Sequence, residues 1–380
     1  MLTSKFSIPE IIFGHGSLAY TATCARRLGG EPGFFVSAPG LEQAGWVGRD
    51  FDSLDADALE GVFFNNVTAN PRDHQVSEGA TRYMDEGCDV VIALGGGSPM
   101  DAAKGIALLA SNGGTVQDYE GANRIQRPLP PMVFIPSTAG SGADISQFAI
   151  ITDHRRHVKM SIISRTLVPN ISIIDPTVLT TKPRDLIIAA AIDALAHAVE
   201  SYVSRLAFAL TENQSLKAID LIIKHLPAAL KTGSLEALEQ LGIAATSAAM
   251  AFSNASLGME HALAHSLGGM LDVVHGMVHP VLLPPVMRYN LQACPEKLAD
   301  IGEIVIGKRR CSAEATALAG IDQLAGYCHS LKIPTRLRDI VTDRATLPQV
   351  CRMAANDACL LTNPRDATWE DMLQICEDAW

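Results

Sequence analysis

The run Asp89-Val-Val-Ile-Ala-Leu94 is apolar throughout, has the length of a strand, and leads at once into Gly95-Gly96-Gly97 and a helical pattern from Met100 to Ala110. A strand with no polar alternation is one buried on both faces, as in a parallel sheet covered by helices. Neighbouring segments repeat the theme. Gly33-Phe34-Phe35-Val36-Ser37, Pro131-Met-Val-Phe-Ile-Pro136 and Ile171-Ser-Ile-Ile174 read as further strands, and Val76 to Gly87 as a helix ending at glycine. Strand, loop, helix, strand is the order of a parallel α/β sheet.

After Pro183 the texture changes. Asp185 to Ser204, Thr211 to His225, Ser234 to Phe252, Met259 to Leu271 and Ala313 to Leu331 carry helical spacing and few strand signals. Proline removes a backbone donor, so breaks are expected at Leu226-Pro227 and Pro284-Pro285. The expectation is an α/β domain over residues 1–182 followed by an all-helical domain over 183–380, and 380 residues leave room for both.

A net charge of -11 argues against a nucleic-acid partner, although it leaves room for an anionic small substrate in a local pocket. The N-terminal residues lack the apolar stretch of a signal peptide. The nearest approach to a membrane span, Leu186 to Val203, is interrupted by Asp193, His197 and Glu200, so no membrane partner is expected. Eight cysteines fall in no CxxC pair, which fits a reducing cytoplasm.

Two glycine-rich loops follow strands. In Gly95-Gly96-Gly97-Ser98-Pro99 the backbone can approach a phosphate closely, and the helix that opens there offers free N–H groups. Ser98 is placed to cap that helix and to donate to a phosphate oxygen. The loop is neither a GxGxxG fingerprint nor a Walker loop, since Lys104 is misplaced for the latter, and a structural tight turn competes with the phosphate reading. Ser137-Thr138-Ala139-Gly140-Ser141-Gly142 poses the same choice between a ribose or pyrophosphate wrap and a flexible loop. Two such loops behind strands of one sheet favour ligand binding, because ligands sit at the carboxyl ends of parallel strands.

The second half gathers histidines. Asp193 and His197 are four residues apart, as are His261 and His265, so each pair shares a helix face; His275 and His279 follow. A carboxylate and several imidazoles converging from two helices can hold a divalent metal. Taken alone, Asp193 and His197 equally describe a solvated i,i+4 pair.

These blocks together resemble the iron-activated, or group III, alcohol dehydrogenases over nearly the whole chain. The resemblance is carried by Phe13-Gly-His-Gly-Ser-Leu18, Asn70-Pro71, Gly95 to Pro99, Thr138 to Gly142, Arg156-His-Val-Lys-Met160, Asp175-Pro176, Asp193 to Glu200, Phe252 to Gly258, the His261 to His275 spacing, and Leu361 to Arg365. It implies a Rossmann-like dinucleotide domain, a helical metal domain and an active site in the cleft between them. It implies metal ligation by Asp193, His197, His261 and His275, with His265 beside the site without being a ligand; His265 is the candidate proton relay. Cofactor contacts are implied at Asn70, Gly95, Gly96, Gly97, Ser98, Thr138, Ser141 and Lys159. His279 has no role in that pattern and is read as structural, and Cys359 as a packing cysteine.

The chain departs from the family at two places. Val274 stands where the family has a proline before the last ligand, and Ala38 where NAD-preferring members carry an aspartate. An aspartate there would bind the ribose hydroxyls and repel a 2′-phosphate. The expected cofactor is therefore NAD(H), with NADP tolerated. The implied function is metal-dependent hydride transfer between that cofactor and a small primary alcohol or aldehyde, with Fe2+ placed ahead of Zn2+ and a homodimer expected. The alternatives are a reductase of a small aldehyde bearing an anionic group, and a cofactor-binding sensory protein with little turnover.

Overall fold

The computed structural model describes residues 4–49 and 59–380. The first three residues of the N-terminal segment lie outside them. The chain groups into two units, Ser7–Lys182 and Pro183–Trp380, the latter joined by residues 4–6.

The first unit is built on six parallel strands: β1 (Glu10–Phe13), β2 (Gly33–Val36), β3 (Gly61–Phe64), β4 (Val90–Gly95), β6 (Met132–Pro136) and β9 (Ile171–Ile174). Their spatial order is β1-β9-β6-β4-β2-β3. Helices α1 (Thr21–Arg27), α2 (Asp73–Asp85) and α3 (Gly97–Asn112) connect them. Alternate residues of β4 enter different cores. Val91 and Ala93 join a cluster with Val76, Ala80, Ala103 and Ile106 from α2 and α3, whereas Val90, Ile92 and Leu94 join one with Ala22 and Ala25 of α1. Burial on both faces explains the unbroken apolar run.

The chain goes from β2 outward to β3, then crosses back so that β4 lies on the other side of β2. That reversal creates a crevice at the carboxyl ends of β2 and β4, where ligands bind in doubly wound sheets. Both Ala38 and the Gly95–Gly97 turn lie there, and Ser37 ties the two strand ends together by donating its hydroxyl to Leu94 O at 2.8 Å.

A second sheet holds β5 (Gly121–Ala122) and the antiparallel hairpin of β7 (Phe148–Asp153) and β8 (Val158–Ile163). Periodicity alone did not mark this hairpin. Its turn is set by Asp153, whose Oδ1 accepts the Arg155 and Arg156 N–H groups at 2.9 and 3.0 Å and whose Oδ2 accepts from Arg156 Nε at 2.7 Å.

The second unit is helical: α4 (Arg184–Val203), α5 (Ala209–Thr232), α6 (Leu235–Ala255), α7 (Met259–Leu271), α8 (His279–Asn290), α9 (Pro295–Ile306), α10 (Ala313–Ser330), α11 (Leu347–Ala354) and α12 (Trp369–Asp378). By length and composition α4 could cross a membrane, but 83% of its most apolar stretch is buried within the protein. It is a core helix packed by α5 and α6. Each of Ile188, Ile192, Leu195 and Val199 contributes about 1.5–3 kcal/mol by leaving water.

The expected breaks at proline do not occur. Pro227 lies inside α5, and Pro284 and Pro285 inside α8. A helix-interior proline costs about 3 kcal/mol. Burial of Ile219, Ile222, Leu226 and Ala229 in α5, and of Leu282, Leu283, Val286 and Met287 in α8, outweighs it.

Candidate functional site

The start of α7 organises the metal-ligating cluster. Gly258 precedes the helix and has no side chain to satisfy its free N–H groups. Distant acceptors do so instead. Asn363 Oδ1 takes the Met259 N–H at 3.2 Å, Glu200 Oε1 the Glu260 N–H at 2.7 Å, and Glu200 Oε2 the His261 N–H at 3.3 Å. A Cβ on Gly258 would lie 2.8 Å from both Asn363 Oδ1 and Glu200 Oε1, so the close approach requires glycine. Asn363 is fixed in turn by paired amide hydrogen bonds with Asn290, at 2.9 and 3.1 Å.

Four imidazoles surround Asp193 Oδ1. Their Nε2 atoms stand at 3.1 Å (His279), 3.5 Å (His197), 3.7 Å (His261) and 3.8 Å (His275). One atom from each of Asp193, His261, His275 and His279 lies within 4.8 Å of the others. His197 adjoins them with its ring stacked on His261 and Phe252. The structure thus groups three of the implied ligands, Asp193, His261 and His275, with His279, which the sequence reading set aside as structural, and places His197 beside them with Nε2 3.5 Å from Asp193 Oδ1.

Behind two of the rings stand carboxylates. His261 Nδ1 meets Glu200 Oε2 at 2.6 Å, and His279 Nδ1 meets Glu260 Oε2 at 2.8 Å. With those nitrogens occupied, both Nε2 atoms point inward, where they and Asp193 Oδ1 are buried without a hydrogen-bond partner. Each buried polar atom left so costs about 1–3 kcal/mol. Glu200, Glu260 and Asp193 bring three carboxylates into an interior where no lysine or arginine pairs with them among the described residues.

Imidazole protons offset that charge. Burial works against protonated His261, but Asp193, Glu200 and Glu260 outweigh it and lift its pKa to about 10. His279 rises to about 9 by the same balance, under Glu260 and Asp193. Burial pushes His197 down to about 3. Burial also opposes ionised Asp193, yet the charges of the surrounding imidazoles pull it well below the usual carboxylate range. Buried acids facing unpartnered ring nitrogens form an N/O donor set that fits a divalent transition ion, whose binding would displace those protons.

One turn along α7, His265 Nδ1 meets Asp357 Oδ2 at 2.9 Å, and its ring lies parallel to His275 with centroids 5.6 Å apart. Burial raises the Asp357 carboxyl, but His265 and the Cys359 N–H more than compensate and hold it below its ordinary value. The Cys359 thiol is pushed well above its usual range by burial and by Asp357, in keeping with a packing role.

In the first unit, Gly95 ends β4 and Gly96 precedes α3. Helix α3 starts at Gly97, earlier than expected, so Ser98 lies within its first turn and does not cap it. The N-terminal N–H groups of α3 consequently have no side-chain cap. The second glycine loop packs on the first. A Cβ on Gly96 would come within 3.2 Å of Thr138 Oγ1, and one on Gly97 within 3.1 Å of Ser141 Cβ. Asn70 adopts a left-handed conformation (φ 55°) beside Pro71, whose carbonyl accepts the Thr152 N–H at 2.8 Å. Lys159 is the register partner of Thr152, so Asn70 and Lys159 belong to the hairpin side of the unit. Lys104 is fully buried and donates to Ser146 O and Phe148 O at 2.7 Å, a structural role.

Sequence reasoning missed Glu260, Asp357 and Asn290; it quoted Asn363 only as part of a motif, and Glu200 only so and as a charge breaking an apolar run. Glu200 lies three residues after His197 and so could be found by helical spacing. Glu260 and Asp357 carry no such signal, since their partners His279 and His265 lie 19 and 92 residues away.

Comparison with known proteins covers both units. Residues 9–176 match the family model described as iron-containing alcohol dehydrogenase, and residues 187–380 the C-terminal model of the Fe-containing alcohol dehydrogenase family. The chain is 36% identical to a 1,3-propanediol dehydrogenase of Klebsiella pneumoniae, over 99% of this chain and 98% of that one. It is 33% identical to an NAD-dependent methanol dehydrogenase of Bacillus methanolicus, over all of both chains. A solved 1,3-propanediol oxidoreductase superposes with a TM-score of 0.96 at 35% identity, covering both chains fully.

Proposed function

The chain belongs to the iron-containing alcohol dehydrogenase family, and from that premise we propose that it transfers a hydride between NAD(H) and a small primary alcohol or its aldehyde at a divalent metal held by Asp193, His197, His261 and His275. The observation that carries this reading is the convergence of ring nitrogens on Asp193 Oδ1 in a buried, acid-rich interior. A bound metal would supply Lewis acidity toward a substrate oxygen, and a bound nicotinamide the hydride chemistry.

The residues supply orientation and proton movement. Glu200 accepts from His261 Nδ1 and so fixes the tautomer that leaves Nε2 free to ligate. Asp357 does the same for His265, whose Nε2 becomes available to take a proton from the alcohol side or return it to the aldehyde. The Gly95–Ser98 turn and the uncapped N–H groups of α3 would receive the pyrophosphate, and Thr138, Ser141, Asn70 and Lys159 the remainder of the cofactor.

NAD(H) is favoured by the NAD-dependent relative, and Ala38 at the end of β2 removes the carboxylate that would reject NADP. The family supports Fe2+ ahead of Zn2+. The same reading takes the protein to be a cytoplasmic homodimer, which sedimentation of the purified protein checks for its oligomeric part.

A screen of ethanol to butanol and their aldehydes, with NAD(H) and NADP(H) and with Fe2+- or Zn2+-loaded protein, tests the proposal. Turnover with NAD(H) is expected. No turnover with any of these substrates at full metal and cofactor occupancy would overturn it, and efficiency with NADPH equal to or above that with NADH would overturn the cofactor preference.

A further inference from the structure

We propose that His279 is a fifth protein ligand of the metal, held in place by Glu260. The inference rests on the metal centre proposed above and extends it to a residue outside the family's ligand pattern. Of the four imidazoles around Asp193, His279 comes nearest, with Nε2 at 3.1 Å from Oδ1. That nitrogen is buried and makes no hydrogen bond. Its other nitrogen lies 2.8 and 3.0 Å from the two oxygens of Glu260. His279 and Glu260 are both fully buried.

The pair repeats the arrangement of His261 and Glu200, in which a carboxylate behind the ring fixes the tautomer and aims Nε2 at Asp193. Carboxylate–imidazole pairs of this kind stand behind metal-ligating histidines and raise their basicity. A buried packing histidine would have both ring nitrogens hydrogen-bonded, Nε2 as well as Nδ1. Here the second nitrogen is brought into the group that also contains Asp193, His261 and His275, with one donor atom of each within 4.8 Å of the others.

The added donor has a consequence for metal choice. Zn2+ favours four ligands, and its catalytic sites keep three from the protein plus one open position. Asp193 with four imidazoles would exceed that set. Five protein donors and one open position suit an ion that accepts six-coordinate N/O ligation, such as Fe2+ or Co2+. In this chain His279 and Glu260 would therefore bias the centre toward Fe2+ over Zn2+.

Two measurements on the full-length protein test this. The first is the crystal structure of the Fe2+- or Co2+-loaded wild type, which expects His279 Nε2 at bonding distance from the metal (about 2.1 Å). The second compares Fe2+ and Zn2+ dissociation constants of the wild type with those of His279→Asn combined with Glu260→Gln, a change that keeps the buried pair polar and removes its charge. The expected loss is about 10-fold or more for Fe2+ and smaller for Zn2+, with thermal melting of the chelator-treated protein unchanged. A loaded wild type whose metal is bound by Asp193 and three imidazoles, with His279 apart and both affinities unaltered in the variant, would overturn the proposal and leave the metal centre standing. Failure of the wild type to bind Fe2+ or Co2+, or binding that survives Asp193→Ala, would overturn both.

Discussion

Glu200 Oε2 lies 2.6 Å from His261 Nδ1, while the two oxygens of the same carboxylate accept the backbone N–H groups of Glu260 and His261. One side chain on α4 therefore caps the start of α7 and orients a candidate metal ligand carried by its first turn. The helix end and the ligand cannot shift independently.

Glu200→Gln should weaken divalent-metal binding by about 10- to 100-fold, because the amide no longer holds the His261 tautomer with a charge. It should also lower thermal stability, since a carboxylate at a helix N-terminus is worth up to about 2 kcal/mol when partly buried. Competition with a chelator and a melting curve read the two effects separately. Unchanged metal affinity would show that Glu200 serves the helix alone.

His265→Ala should lower kcat by about 100-fold or more while bound metal stays near one equivalent. Asp357→Asn should act in the same direction and less strongly, because the ring remains and loses its charged partner. Metal analysis of both variants decides the role. Loss of metal from His265→Ala would make His265 a ligand and remove the relay from the account.

Gly97→Ala should raise the dissociation constant for NADH by about 10-fold, equivalent to about 1.4 kcal/mol. The new methyl would meet Ser141 at 3.1 Å and push the two glycine loops apart. Fluorescence titration measures it. Wild-type affinity in this variant would mean that the loop is a structural turn.

The β7–β8 turn should depend on pH through Asp153. Burial opposes its charge, but the Arg155 and Arg156 N–H groups and the Arg156 guanidinium depress its pKa strongly. A carboxylate whose folded pKa is depressed gives stability above its unfolded value, about 3.9, and loses it as pH falls toward the folded value. Asp153→Asn should therefore cost about 1–3 kcal/mol at neutral pH, and the gap to wild type should shrink below about pH 4. A constant gap across that range would assign the effect to packing instead.

How much was legible follows from how local each signal is. The unbroken apolar run ending in glycines marked β4 and the sheet type, because burial on both faces leaves no polar position. Helix α7 spans Met259–Leu271 as its spacing indicates. Pro227 and Pro284 misled, since a local penalty gave way to tertiary packing that the neighbouring residues alone do not display. Ser98 misled by two residues, because Gly96 takes the cap position and helix α3 begins on Gly97. At the site, helical spacing grouped Asp193 with His197 and His261 with His265. The carboxylates that aim the rings were silent, since Glu260 and Asp357 meet their partners only after the chain folds. His279 lacked a partner in the motif and gained one in space.

The most direct test is the rate of NADH formation from a small primary alcohol by protein stripped with a chelator and then reloaded with Fe2+, beside Asp193→Ala treated in the same way. Removing the central carboxylate takes away the atom on which the imidazoles converge. The expected result is loss of activity on stripping, recovery on reloading, and neither metal uptake nor activity in Asp193→Ala. Full activity in the stripped wild type, or in Asp193→Ala without bound metal, would contradict a metal-dependent dehydrogenase centred on this cluster.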